Sequence, residues 1–378
     1  MKITGLLSFI LIMLSTIPAH TQDSPEYHLL IGTYSTDSNP NGIHVYKFNS
    51  QTADFQPEQP VTPLSNASFL TISKDRKNVY AVSESREGSV NAYSFNPVTG
   101  KLDFLNSAPS PGPCYVSVDD RKQLVFVGNY GGGSVQAAPL NEDGSLVTSK
   151  LQTIQHEGSS VVENRQDKPH VHAAVLSLDD QYLMVPDLGT DKVYQYQIDA
   201  SRSDILEPAA TPFLQAAPGS GPRHLVFHPN GRFAYLVLEL EAAVAALEYH
   251  MAEGSLQLKQ TISMTAPEFE GNVSGADIHV SPDGRFLYAS NRGDANEIAI
   301  FAIDQQGELT LAGRQSVLGK TPRNFAIDPS GNFLLAANQN TNEIVIFRRD
   351  PETGLLSSTD KRIQVDKPVC LKFTARGD

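Results

Sequence analysis

The amino-acid sequence predicts an all-β fold, a seven-bladed β-propeller closed by pairing of its N- and C-terminal strands. Three observations carry this expectation. One pattern recurs along almost the whole chain: an apolar alternating run, a tight turn, a second apolar run, a polar break and a third run. It is clearest in VSGADIHVSPDGRFLYASNRGDANEIAIFAIDQQGEL at residues 273–309, where alternation punctuated by Ser-Pro-Asp-Gly spells a small antiparallel sheet. The pattern occurs seven times, and the first copy lacks its first strand while the chain ends on a spare one.

Taken in order, the first copy holds HLLIGTY and GIHVYKFN with no strand before them. The second begins at Phe69, the third at Cys114, the fourth at His172, the fifth at Arg223 and the seventh at Arg323; the sixth is the copy quoted above. PVCLKF follows at residues 368–373, alone. Pairing the spare strand with the incomplete copy closes a ring, and radial repetition leaves few exposed edges. A solenoid would show capping repeats and need no such complement, and a β-sandwich would not explain seven copies of one pattern. Because each copy can bury its sheet face only against its neighbours, residues 22–378 are expected to form one propeller domain.

Residues 1–21 read as a signal peptide: Lys2, a short apolar run, then small residues at Ala19 and Thr21 suited to cleavage before Gln22. The run is short for a span of ~30 Å of hydrocarbon. Export to the periplasm or medium is therefore expected, with no stable membrane insertion after cleavage. A net charge of −13 argues against nucleic acid or an anionic membrane as partner, since phosphate backbones are bound by Lys and Arg. Cys114 and Cys370 make no disulfide framework and read as buried apolar thiols. A monomer is expected.

In a propeller the start of each inner strand and the end of the next, antiparallel strand lie at one mouth of the channel. The first of these positions holds Ser68, Cys114, His172, Arg223, Ala276, Arg323 and Val369 around the ring. The second, sixteen residues later, holds Glu84, Tyr130, Leu188, Glu239, Arg292 and Gln339, with Tyr34 in the first copy. Charged groups there are costly to desolvate unless they pair or serve a ligand. Arg223 and Glu239 could be a salt bridge within one blade, but His172, Arg292 and Arg323 come from other blades, which favours a shared pocket. The polar insertion at residues 155–168 precedes His172 and is expected to hang over the same mouth.

KPHVHAAVLS, GSGPRHLVFHPNGRFAYLVLEL, GADIHVSPDGRFLYASNRG and TPRNFAIDPSGNFLLAANQ together resemble the signature segments of the propeller-type lactonase family. That family contains bacterial 6-phosphogluconolactonases of the propeller type and fungal 3-carboxy-cis,cis-muconate lactonizing enzymes. The resemblance runs from about residue 27 to residue 373. It implies hydrolysis of a sugar lactone, with 6-phospho-D-glucono-1,5-lactone the first substrate to consider, and places the family's active-site His on His172, its two Arg on Arg223 and Arg292, and its Glu on Glu239. One departure is Leu238, where relatives commonly have Asn: this alters substrate preference if that side chain reaches the site, and nothing if it faces away.

Lactone hydrolysis needs an activated water, a stabilised oxyanion and a grip on the ring. Glu239 or His172 can serve as base, and which takes the proton stays open. Arg223 and Arg292 suit negative charge in a partly dry pocket, while Arg323, Gln339, His170 and Tyr130 are candidates for binding a small, anionic lactone. No cofactor or metal is expected. The pair His170 and His172 lacks further zinc ligands of convincing spacing, and Glu84 and Glu239, the acidic residues at the mouth, lie blades apart, which speaks against calcium. Gly131, Gly132 and Gly133 open no helix, and no G-x-S-x-G elbow is present. The alternative class is a non-catalytic exported propeller that binds a protein or glycan.

Overall fold

The strand after each Ser-Pro-Asp-Gly-like turn folds back on the strand before it, and repetition of this step builds seven sheets. The computed structural model describes residues 26–35 and 42–377; the expected signal segment lies outside the described residues. Among them, each of the six sheets after the first has four antiparallel strands in sequence order. The fifth, for example, runs Pro222–Phe227, Phe233–Leu238, Ala243–His250 and Ser255–Ser263. The first sheet is completed from the far end of the chain, where Glu26–Thr33 pairs antiparallel with Pro368–Ala375, setting Tyr27 opposite Ala375 and Gly32 opposite Cys370. The ring closes as expected. This first blade differs in its outer edge, which is split into Phe55–Pro57 and Thr62–Pro63, both paired with Gly42–Asn49. Among the described residues no helix is long and apolar enough to cross a membrane.

Local chemistry explains the hairpins. In the sixth blade Gly284 takes φ 73°, the left-handed conformation that closes the turn. The Ser281 hydroxyl accepts from Phe286 N at 3.0 Å, and the Asp283 carboxylate accepts from Arg285 N at 3.0 Å. Apolar side chains alternate to both faces of each blade and fill the gaps between neighbours. Leu29, Ile31 and Phe48 of the first blade pack with Phe333, Leu335 and Ile344 of the seventh. Burying a side chain of the size of Phe333, fully enclosed here, contributes about 1.5–3 kcal/mol.

The fourth blade departs from the frame. Its inner strand, expected from His172, is reduced to Val175–Leu176, with one further bridge from Val171 to Asp187. Pro186 stands in the neighbouring strand, Tyr182–Asp187, where it has no N–H to give to the ladder. His172 still donates its own N–H to Pro186 O at 2.9 Å. His172 is therefore delivered by a buried stretch with fewer ladder bonds than the other inner strands.

A candidate active site at one mouth of the channel

The start of an inner strand and the end of its neighbour converge on one cavity of about 310 Å³. Arg223 comes from inner strand Pro222–Phe227, and Glu239 directly follows Phe233–Leu238 in the same blade. Arg292 follows Phe286–Asn291 in the sixth blade, Arg323 lies on Pro322–Ile327 in the seventh, and Tyr130 follows Leu124–Asn129 in the third. His172 arrives from the interrupted strand of the fourth. Five of these six line the cavity; Arg223, fully buried, lies behind it against Glu239.

Glu239 is the centre of charge. Its Oε2 lies 3.0 Å from Arg223 Nε, 3.1 Å from Arg292 Nη2 and 3.7 Å from His172 Nε2, and its Oε1 lies 2.5 Å from Arg165 Nη2. Arg223 donates from Nη1 to Ala276 O while its Nε, facing Glu239, has no aligned acceptor, and Arg292 Nη2 donates to Ser274 Oγ at 2.7 Å and Gly275 O at 3.1 Å. Glu239 Oε2 is thus buried beside two cations, yet no donor is aligned with it. A buried oxygen in that state is poised for a hydrogen bond from a ligand or water.

Arg165 was not singled out by the sequence. It belongs to the insertion at residues 155–168, which has no counterpart in the other blades, so the repeat assigned it no position. Asp187 anchors both ends of this segment: its carboxylate pairs with His156 Nδ1 at 2.8 Å and accepts from His170 N at 2.8 Å. Gly189 allows the close approach, since a Cβ there would lie 1.9 Å from Lys168 O. The insertion reaches the mouth through Arg165, which lines the cavity and also donates to the Tyr130 hydroxyl at 3.4 Å.

The remaining expected residues are placed differently. His170 stacks on the Tyr130 ring at 4.4 Å and bonds Tyr130 O, behind the ring that borders the cavity. Gln339 is half-buried with its backbone N–H on Thr321 O, and it is not among the cavity-lining residues. Leu238 is buried among Met184, Leu225 and Leu247 between the fourth and fifth blades, so its difference from Asn does not reach the cavity. Glu84 and Glu239, blades apart in sequence, line the same cavity because the channel between them is narrow. Each is held by arginine: Arg323 Nη2 lies 3.5 Å from Glu84 Oε2, which also accepts from the Tyr34 hydroxyl at 2.8 Å. Among the described residues no group of three His, Cys, Asp or Glu is arranged to hold a metal ion.

The family described as Lactonase, 7-bladed beta-propeller matches residues 28–373. The chain belongs to this family. It is 37% identical to a Bacillus subtilis 6-phosphogluconolactonase over 91% of this chain and 97% of that protein. Identity to a Formosa agariphila 6-phosphogluconolactonase is 35%, over 91% and 99% of the two chains. Among solved structures, a Pseudomonas aeruginosa periplasmic gluconolactonase superposes with a TM-score of 0.88 at 38% identity, covering 93% of this chain and 100% of that one. The chain is a lactone hydrolase.

The electrostatics of the cavity follow from burial and from an excess of arginine. Burial alone would raise the Glu239 carboxyl, but Arg292, Arg223 and Arg165 together outweigh it and hold the group at about 2. Burial, then Arg223 and His224, push His172 well below the ordinary imidazole value, so it is neutral. Burial and the neighbouring Arg292 bring Arg223 down to about 10. Burial raises the Cys114 thiol to about 12, and its Sγ lies 3.6 Å from His172 Nδ1. Cys114 is therefore a neutral wall of the cavity, in keeping with a buried apolar thiol.

Proposed function

We propose that this lactonase hydrolyses a six-membered sugar lactone, with 6-phospho-D-glucono-1,5-lactone the first candidate, at the cavity around Glu239. The observation that carries the proposal is the charge balance. Arg165, Arg292 and Arg323 line the cavity, and Arg223 is buried directly behind Glu239, against only Glu84 and Glu239, so the site holds more positive than negative charge. Such a surplus is relieved by an anionic ligand or by an oxyanion forming during reaction.

In this mechanism a water attacks the lactone carbonyl and gives a proton to His172 Nε2, while ionised Glu239, 3.7 Å away, stabilises the imidazolium as it forms. Arg292 stabilises the tetrahedral oxyanion, and Arg223, buried behind Glu239, adds positive charge to that wall. Collapse breaks the ring acyl C–O bond, and the imidazolium returns its proton to the leaving ring oxygen. The products are a hydroxyl group and a carboxylic acid that ionises with release of one proton. Arg323 and Arg165 position the substrate, and Tyr130 forms part of the wall.

The pH dependence has a definite sign. A base must be unprotonated, and His172 is held well below 6.5 while Glu239 is held at about 2. The profile of kcat/KM, which reports the free enzyme, is expected to stay level as pH falls from 7.5 to about 5, below the ordinary imidazole value of about 6.5. An inflection at that ordinary value would contradict the assignment of His172.

Export through residues 1–21 belongs to the same proposal, in line with the periplasmic description of the Pseudomonas relative, and it makes unphosphorylated sugar lactones worth equal trial. The test is acid release from glucono-1,5-lactone and from its 6-phosphate by the purified chain, above spontaneous hydrolysis and with chelator present. Turnover of at least one, unaffected by chelator, is expected. Arg323→Ala should raise KM for the phosphorylated lactone more than it lowers kcat. No release above background from any sugar lactone would leave a non-catalytic binding propeller as the better account.

A further inference from the structure

The cavity does not end at Tyr130. A second depression of about 490 Å³ adjoins it, and Glu84 and Tyr130 line both. The rest of its surface comes from two turns, Pro111-Gly112 and Gly131-Gly132, with Ser85 and Arg86 exposed alongside. These turns pack backbone against backbone: Gly131 N donates to Gly112 O at 3.0 Å. A Cβ on Gly112 would lie 2.7 Å from Gly131 Cα, and one on Gly132 would lie 2.7 Å from Pro111 O. The glycine run that opens no helix thus has a different consequence, a groove kept bare of side chains beside the reacting centre.

We propose that this groove is a subsite for a second sugar ring, so that the substrates include lactones of disaccharides, with the lactone ring at Glu239 and the glycosyl substituent across Gly131 and Pro111. The inference rests on the lactonase reading but does not depend on a phosphate. Three features favour a neutral ring over a phosphate group. The groove is larger than the cavity that takes the lactone. Its surface is largely proline, glycine backbone and a tyrosine, which suits the C–H face of a pyranose, while Ser85, Arg86 and Glu84 offer hydrogen bonds to hydroxyls. Its single arginine, Arg86, shares the wall with the carboxylate of Glu84, whereas a phosphate calls for concentrated positive charge.

Hydrolysis of cellobiono-1,5-lactone, glucono-1,5-lactone and 6-phosphoglucono-1,5-lactone tests the proposal, using the full chain and its Ser85→Phe and Arg86→Ala variants. Wild-type kcat/KM for the disaccharide lactone is expected to equal or exceed that for the plain lactone. Ser85→Phe, which puts a ring into the groove, should lower it about tenfold or more for the disaccharide lactone and leave the plain lactone within about twofold. Arg86→Ala should act in the same direction more weakly. Failure of the disaccharide lactone alongside good turnover of the plain one overturns the subsite and leaves the lactonase reading standing. Loss confined to the phosphorylated lactone in either variant makes the groove a phosphate site and likewise overturns the proposal. Absence of turnover on all three removes both.

Discussion

Glu239→Gln is expected to lower kcat/KM on a sugar lactone by about 10³-fold, at the middle of the range for loss of an acid–base element and its charge. The substitution keeps the shape and deletes the anion that Arg165, Arg223 and Arg292 surround. Three guanidiniums are then left around a neutral amide, and the imidazolium of His172 loses the carboxylate that stabilises it. Breaking a buried ion pair costs about 3–5 kcal/mol, so the variant should also melt at a lower temperature while keeping the β-sheet circular dichroism of the wild type. Activity within tenfold of wild type in the folded variant would mean that Glu239 only braces the arginines.

Deleting the chain after Asp366 is expected to cost on the order of 5 kcal/mol or more, counted from the burial of Val369, Cys370 and Leu371. That is a large part of the 5–15 kcal/mol that typically holds a domain. The lost strand also does more than cover apolar surface. Leu371 N donates to Asn324 Oδ1 at 2.7 Å, and the Asn324 amide in turn donates to Asp277, which pairs with His224 Nδ1 at 2.8 Å. The first, seventh, sixth and fifth blades are linked through this chain of contacts across the channel. Thermal unfolding of the truncated protein should lose its cooperative transition near the wild-type temperature. A superimposable melting curve would show that closure is not needed for stability.

Much of the site was legible because a propeller converts sequence period into position. His172, Arg223, Glu239, Arg292 and Arg323 occupy equivalent places in their copies of the repeat, and equivalent places share a mouth. Arg165 escaped because it lies in an insertion that no other blade repeats; the segment was legible as a cover for the mouth, but not which of its side chains turns inward. Gln339 shows the opposite limit, since an equivalent backbone place does not fix where a flexible side chain goes. Glu84 and Glu239 show another: separation in blades says little across a channel only a few side chains wide. The short inner strand of the fourth blade follows from Pro186, a residue visible in the sequence whose partner across the ladder was not.

The central claim is that His172 and Glu239 act as one catalytic unit, and a double-mutant cycle tests it most directly. The measurement is kcat/KM for one sugar lactone in the wild type, His172→Ala, Glu239→Gln and the double variant. Groups that act together are strongly non-additive, so the double variant is expected to be no slower than the worse single variant, within about threefold. A double variant slower by the product of the two single losses would show that the two residues act independently and would contradict the mechanism.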